Sequence, residues 1–271
     1  MSFSDSTAWI TGASSGIGAA LAREFSDRGA RVILSGRDED RLKNVAESLK
    51  TDTLILPFEV TDESAMKAAT AEATRWHHGV DIFVANAGVS QRSAAVDTEM
   101  DVYRRILDVD LTAQIAAAQA LLPHMTGRGS GRLVFISSVA GKVGIPMRTA
   151  YCAAKHGLIG YADALRVELS QSGIEVHVVC PGSVATNVSR NALTADGSVR
   201  NKSDKAIDNG IRPEEAAQKI VAAMALNQRE IIIAQGPEEA MAELRRTPDQ
   251  LLDQVAEMVA RGYMEKMKTE G

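Results

Sequence analysis

Three side chains with complementary acid–base chemistry stand close together in the chain: Ser138, Tyr151 thirteen residues on, and Lys155 four residues beyond that. Ser138 closes the apolar run GRLVFISS, and TAYCAAKHGLIGYADALRVEL opens a helix at about Thr149. Positions i and i+4 share one helical face, so the Tyr151 phenol and the Lys155 ammonium address the same space. An ammonium beside a phenol favours the phenolate, which suits the pair to general acid and base work. Ser138, placed across the site, can hold a substrate oxygen. A YxxxK string also arises by chance on helices, so this reading needs a second, independent feature.

That feature lies at the amino terminus, where the short apolar segment TAWIT (Thr7–Thr11) runs into GASSGIG and then into AALAREFSDRG. Gly12, Gly16 and Gly18 permit a tight turn and a close backbone approach to a pyrophosphate held at a helix amino end. Alone, such a turn could equally be a plain strand-to-helix connection. Its GxxxGxG spacing, taken with Ser138, Tyr151 and Lys155, closely resembles the short-chain dehydrogenase/reductase family over roughly residues 5 to 235. The resemblance implies an oxidoreductase interconverting a ketone or aldehyde and an alcohol, with a nicotinamide cofactor doing the hydride chemistry. It implies that Tyr151 moves the proton, Ser138 binds the carbonyl oxygen, and Lys155 holds the ribose hydroxyls while tuning Tyr151. One departure touches this machinery. Where the family has an asparagine in a Val-Asn-Leu context, this chain has Val109-Asp110-Leu111, so Asp110 is either a near-isosteric substitute or the sign of an altered proton relay.

The same resemblance outlines the cofactor pocket. Ser14, Ser15 and Ile17 belong to the glycine turn. The second strand ends in VILSGRDEDRL, with Gly36 where an acid would bind the adenosine 2'-hydroxyl and Arg37 next. A guanidinium can fork onto a 2'-phosphate, and Arg41 one turn on can reinforce it, so NADP(H) is expected to be preferred with NAD(H) possible. The alternative for Arg37 is a solvated arginine at a helix start. Glu59-Val60 replaces the family's Asp-Val at the adenine, and Asn86, Ala87 and Gly88 match Asn-Ala-Gly, with Ala85 in place of a preceding asparagine. Pro181, Gly182, Val184 and Thr186 match the clamp on the nicotinamide carboxamide. No metal is implied.

Elements of matching length must position these groups. Strand-like runs at Thr7–Thr11, Arg31–Ser35, Thr53–Pro57, Asp81–Ala85, Arg132–Ser137, Glu175–Cys180 and Glu230–Ala234 alternate with amphipathic helical segments. The alternation predicts one α/β domain over residues 1–271: a Rossmann-type, doubly wound parallel sheet of about seven strands with helices on both faces. By resemblance the strand order is 3-2-1-4-5-6-7. Residues 186–210 are read as a substrate lid, and Ser189–Gly210, too long for an ordinary connection, as either mobile or disordered. Residues 237–268 are read as a helical extension with Leu251, Leu252, Val255, Met258, Val259 and Tyr263 on one face, packing on its own body or a sister subunit. Long helices at about 102–127 and 149–172 resemble those that pair in family homodimers and homotetramers.

Composition narrows the setting. A chain of 271 residues, 45% hydrophobic, supports one sizeable core, and a net charge of -5 with interspersed signs offers no basic face for nucleic acid. Cys152 and Cys180 read as core thiols, and neither a basic, apolar leader nor an 18-residue apolar span is visible, so a cytoplasmic protein with no membrane span is expected. Three stretches, SSVAGKVGIPMRTAYCAAKH, TNVSRNALTADGS and REIIIAQGPEEAMAEL, resemble the acylglycerone-phosphate-reductase-like subgroup. That resemblance implies a lipid ketone, 1-acyl- or 1-alkyl-dihydroxyacetone phosphate, as one small-molecule substrate; its phosphate would need basic partners, for which Arg148 and Arg190 are candidates, the alternative for either being a solvated surface arginine. A non-catalytic nucleotide-binding scaffold is the remaining alternative, encouraged only by Asp110 and Ala85.

Overall fold

Seven apolar segments become strands: β1 (Thr7–Thr11), β2 (Arg31–Gly36), β3 (Thr53–Pro57), β4 (Ile82–Ala85), β5 (Gly131–Ile136), β6 (Ile174–Pro181) and β7 (Glu230–Ile233). The computed structural model describes residues 3–244 together with Gln254, Glu257, Arg261, Gly262, Tyr263 and Lys266. All seven strands join one parallel sheet in the order β3-β2-β1-β4-β5-β6-β7, as expected. In register, Ile10 of β1 stands opposite Leu34 of β2 on one side and Val84 of β4 on the other. The chain reverses its direction of strand addition between β1 and β4, which opens a crevice above their carboxyl ends.

A parallel sheet is covered on both faces, and this explains why its strands read as near-continuous apolar runs rather than as alternating ones. One face carries α1 (Gly16–Asp27) and, later in the chain, a helix at Pro213–Ala225. There Leu21, Phe25, Ile220 and Val221 pack with Ile10, Leu34 and Val84. Between these come α2 (Glu39–Ala46), α3 (Glu63–Ala73), α4 (Met100–Leu107), α5 (Ala113–Arg128) and α6 (Thr149–Glu168). On the second face Leu121, Leu158 and Leu165 cover Trp9, Phe83 and Phe135. Burying each such side chain contributes roughly 1.5–3 kcal/mol. Trp9 also needs a polar partner, and its Nε1 donates to Ser35 Oγ at 2.8 Å.

Two expectations need correction. The helix expected over about 102–127 is not uniform: α4 and α5 are joined by a π-helical turn, Asp108–Thr112, which widens the rod at Asp110. The Ser189–Gly210 segment is neither disordered nor loosely attached. Ser189, Ala192, Leu193, Asp204 and Ile207 are buried, residues 205–208 form the short α7 (Lys205–Asp208), and Leu193 bridges to both Gln91 and Val199. Its length is accommodated because its polar residues are spent on one another and on the loop after β4, a pattern that composition does not reveal. The Pro213–Ala225 helix is α8, and α9 (Pro237–Leu244) follows β7. Of the apolar face expected beyond α9, only Tyr263 is a described residue. No helix among the described residues is long and apolar enough to cross a membrane.

Candidate active site

The carboxyl ends of β1 to β6, with the π turn and the amino end of α6, bring the expected residues to one cavity of about 850 Å³. Every proposed cofactor position lines it except Gly18, which lies beneath the turn. Thus Gly12, Ser14, Ser15, Gly16 and Ile17, Arg37, Arg41, Glu59 and Val60, Asn86, Ala87 and Gly88, and Pro181, Gly182, Val184 and Thr186 share its lining with Asp110, Ser138, Tyr151 and Lys155.

Gly12 has a left-handed φ of 63°, and a Cβ at Gly18 would stand 2.3 Å from Gly12 O, so the turn has no room for a larger residue. Ser15, at the α1 amino cap, makes no side-chain cap hydrogen bond, which leaves the first-turn N–H groups directed at the cavity without a side-chain acceptor there. A crowded turn and an uncapped helix end fit a dinucleotide's pyrophosphate. Asn86 is structural: Nδ2 donates to Thr11 O at 2.9 Å and Gly12 O at 3.2 Å. Thr11 Oγ1 in turn accepts from the Asn86 and Ala87 amides. Sequence reasoning missed Thr11, whose only signal is a hydroxyl at the end of an otherwise apolar buried strand.

Where the adenosine is expected, the glutamate that stands in place of aspartate meets an arginine. Glu59 Oε2 reaches to 3.6 Å from Arg37 Nη1, with both groups substantially exposed, and Arg41 Nε lies 3.1 Å from Asp38 Oδ2. Both expected phosphate ligands therefore already have carboxylate partners. Exposed pairs of this kind are weak and readily exchanged.

The acid–base groups line the same cavity. Ser138 Oγ accepts from Ala140 N at 3.1 Å, starting a 3-10 turn, and donates to Pro181 O at 3.2 Å. Ser137 is turned away: its Oγ donates to Lys155 O at 2.9 Å, as alternation along a strand requires. Lys155 Nζ donates to Ile136 O at 3.0 Å and lies 5.6 Å from the centroid of the Tyr151 ring. Its second neighbour is Asp110 Oδ2 at 3.1 Å, a fully buried ion pair. Asp110 Oδ1 accepts from Val89 N at 2.7 Å, whereas Oδ2 has no well-aligned hydrogen-bond donor. Burial works against the Lys155 ammonium, but the Asp110 carboxylate and Tyr151 outweigh it and hold the Lys155 pKa above its ordinary value. Burial raises the Asp110 carboxyl, with the Lys155 charge and the Val89 amide opposing it. The π turn that presents Asp110 is itself secured by Gln114, whose Nε2 donates to Val109 O and Ala87 O.

The domain of known chains described as short chain dehydrogenase matches residues 6–197. The chain belongs to the short-chain dehydrogenase/reductase family. Dehydrogenase/reductase SDR family member 7B of Danio rerio is 41% identical over 239 residues, 85% of this chain and 77% of that protein. The 7B protein of Xenopus laevis is 40% identical over 83% of this chain and 72% of its own. Among solved structures, a short-chain dehydrogenase from Sphingobium yanoikuyae in complex with NADPH superposes with a TM-score of 0.76 at 26% identity, covering 92% of this chain and 95% of that one. A Burkholderia phymatum member in complex with NAD shares the fold with a TM-score of 0.83 at 21% identity, over 93% and 96% of the two chains.

Membership explains why remote segments converge here, and the structure adds members that the motifs did not. Glu238, in the first turn of α9, accepts from Ser183 N at 2.6 Å and Ser183 Oγ at 2.7 Å, bracing the Pro181–Thr186 turn. Val89 and Leu193 pack with Tyr151 in one apolar cluster at the cavity, which Val188 and Val199 also line together with Asn187 and Asn191. The two arginines suggested for a substrate phosphate do not line the cavity: Arg190 is exposed outside it, and Arg148 is turned towards buried Asp204 at 3.5 Å.

Proposed function

We propose that this dehydrogenase/reductase is an NADP(H)-preferring enzyme that reduces hydrophobic ketones or aldehydes to alcohols. The observation that carries the reading is one cavity lined both by Ser138, Tyr151 and Lys155 and by the uncapped α1 turn. Gly12, Ser14, Ser15, Gly16 and Ile17 would hold the pyrophosphate, Val60 and Ala87 the adenosine half, and Val184 and Thr186 the carboxamide. Bound there, a nicotinamide dinucleotide supplies the hydride. Ser138 Oγ orients the substrate oxygen, and the Tyr151 hydroxyl gives it a proton. Lys155 holds positive charge next to the resulting phenolate and keeps the ribose in place. Arg37 and Arg41 favour a 2'-phosphate, helped by Gly36, which offers no carboxylate to repel it. Assay of short, bulky and lipid ketones with NADPH and with NADH tests this reading. Turnover of none of them would leave a nucleotide-binding scaffold instead.

A lipid ketone is the second reading, supported by the apolar wall of Val89, Val188, Leu193 and Val199. A lipid phosphate would have to meet Arg104 or Arg105, which line the cavity, rather than Arg148 or Arg190. Residues 189–210 then serve as a lid that is already closed down on its anchors. A lower KM for long-chain than for short-chain ketones supports this reading, and the reverse order removes it.

A further inference from the structure

Behind the apolar wall, three arginines from three different segments converge on one buried carboxylate. Arg92, in the loop after β4, donates from Nε to Asp204 Oδ2 at 2.7 Å, and Arg200, in the segment covering the cavity, pairs with Asp204 Oδ1. Arg148, the residue that begins α6, places Nη2 at 3.5 Å from Asp204 Oδ2. The side chains of Arg92 and Arg200 are only 3% and 7% exposed, and that of Arg148 is 20% exposed. Charges so deeply buried must be paired and hydrogen-bonded to persist. Arg92 Nη1 accordingly donates to Ser90 Oγ and Gln91 O, while Asp204 N donates to Ser189 Oγ.

These contacts reach the reacting groups in two short steps. Arg148 precedes Tyr151 by three residues, less than one helical turn. Buried Gln91 accepts from Ala150 N at 2.9 Å, and Ser93 N donates to Met147 O, fixing the chain at Met147, where φ is 63°. On the other side Leu193 N donates to Ser90 O and Leu193 O accepts from Arg92 N. Leu193 and Tyr151 then pack in one cluster with Val102, Ile106, Ala150 and Ala154. The loop after β4 thus lies between the amino end of α6 and the cavity wall, and Asp204 is ion-paired with an arginine from each of the three segments.

We propose that Asp204 is a positioning residue: through Arg92, Arg148 and Arg200 it fixes the Tyr151 end of α6 against the Leu193 wall before a substrate binds. The inference rests on the oxidoreductase reading above for its kinetic consequence, but not for its structural one. Conformational freedom at Tyr151 costs rate because the hydroxyl must meet the substrate oxygen in one geometry.

The test compares Arg148→Gln, Asp204→Asn, their double variant and Arg148→Lys with the native protein. Three readouts are taken: kcat and KM on a bulky ketone, nucleotide affinity by fluorescence, and hydrogen exchange at the Ala150 and Leu193 amides. Expected is a fall in kcat of roughly tenfold or more for Arg148→Gln, with nucleotide affinity within about twofold, because a small misplacement is felt in rate before binding. Arg148→Lys recovers most of the loss, the double variant is no slower than Asp204→Asn alone, and exchange rises at both amides. Should Asp204→Asn fail to fold, Arg148→Gln decides the matter, since it leaves Asp204 paired with Arg92 and Arg200. Native kcat and native exchange in Arg148→Gln would overturn the proposal. If the native protein turned over no carbonyl compound, the oxidoreductase reading would fall, and exchange alone would judge the positioning role: faster exchange at Ala150 supports it and unchanged exchange refutes it.

Discussion

Asp110→Asn isolates the effect of the extra negative charge placed next to the lysine. Asp110 Oδ2 is 3.1 Å from Lys155 Nζ, which is 5.6 Å from the Tyr151 ring centroid; laid end to end, these distances bound the carboxylate within about 8.7 Å of the ring. At an effective dielectric constant of about 20, two unit negative charges at that separation repel by roughly 2 kcal/mol. Alcohol oxidation needs the phenolate as the proton acceptor. Removing the carboxylate should therefore move the rise of oxidation kcat with pH towards acid, the midpoint being a property of the coupled groups together. The assay is kcat against pH in the oxidation direction at saturating cofactor, with folding of the variant checked by circular dichroism. An unchanged midpoint, or one displaced towards alkali, refutes the reasoning, the latter by indicating that Lys155 loses its proton once unpaired. The ion pair also predicts a stability profile. Because the folded-state pKa of Lys155 lies above the ordinary 10.5, its contribution is complete below pH 10.5 and is lost as pH rises through the raised value. Tm of the native protein should fall above pH 10.5 more steeply than that of Asp110→Asn.

Tyr151→Phe should lower kcat by roughly 10² to 10⁴ while nucleotide affinity stays nearly native; retention of more than half the native kcat would exclude the assigned proton donor. Arg37→Asp should erode or reverse the preference for NADPH, which a charge-assisted contact of about 1.5–3 kcal/mol sets at roughly tenfold to 150-fold in affinity. Glu59→Gln should strengthen that preference by freeing Arg37, measured as the ratio of kcat/KM for the two cofactors. Gly18→Ala places a Cβ 2.3 Å from Gly12 O and should destabilise the protein by about 1–3 kcal/mol and weaken nucleotide binding, read from Tm and fluorescence titration.

The alternation of apolar runs and amphipathic helices determined the sheet, because a strand buried on both faces must be written in apolar residues and each crossover needs a helix's length of chain. Spacing along one helix likewise placed Tyr151 beside Lys155, and the glycines of the first turn declared themselves because no other residue fits there. What the chain could not disclose is pairing between segments far apart in sequence. The resemblance placed Asp110 near Lys155, 45 residues away, but the direct ion pair between them is presented by a π turn that no local pattern encodes. Glu59 looks like a mild substitution until its extra methylene is seen to bring the carboxylate to Arg37. The Ser189–Gly210 segment reads as mobile or disordered because side-chain chemistry alone does not distinguish a charge facing water from one facing another charge. Only the folded chain brings Arg92, Arg148 and Arg200 around Asp204, so that a stretch of loop composition becomes a buried wall of the site.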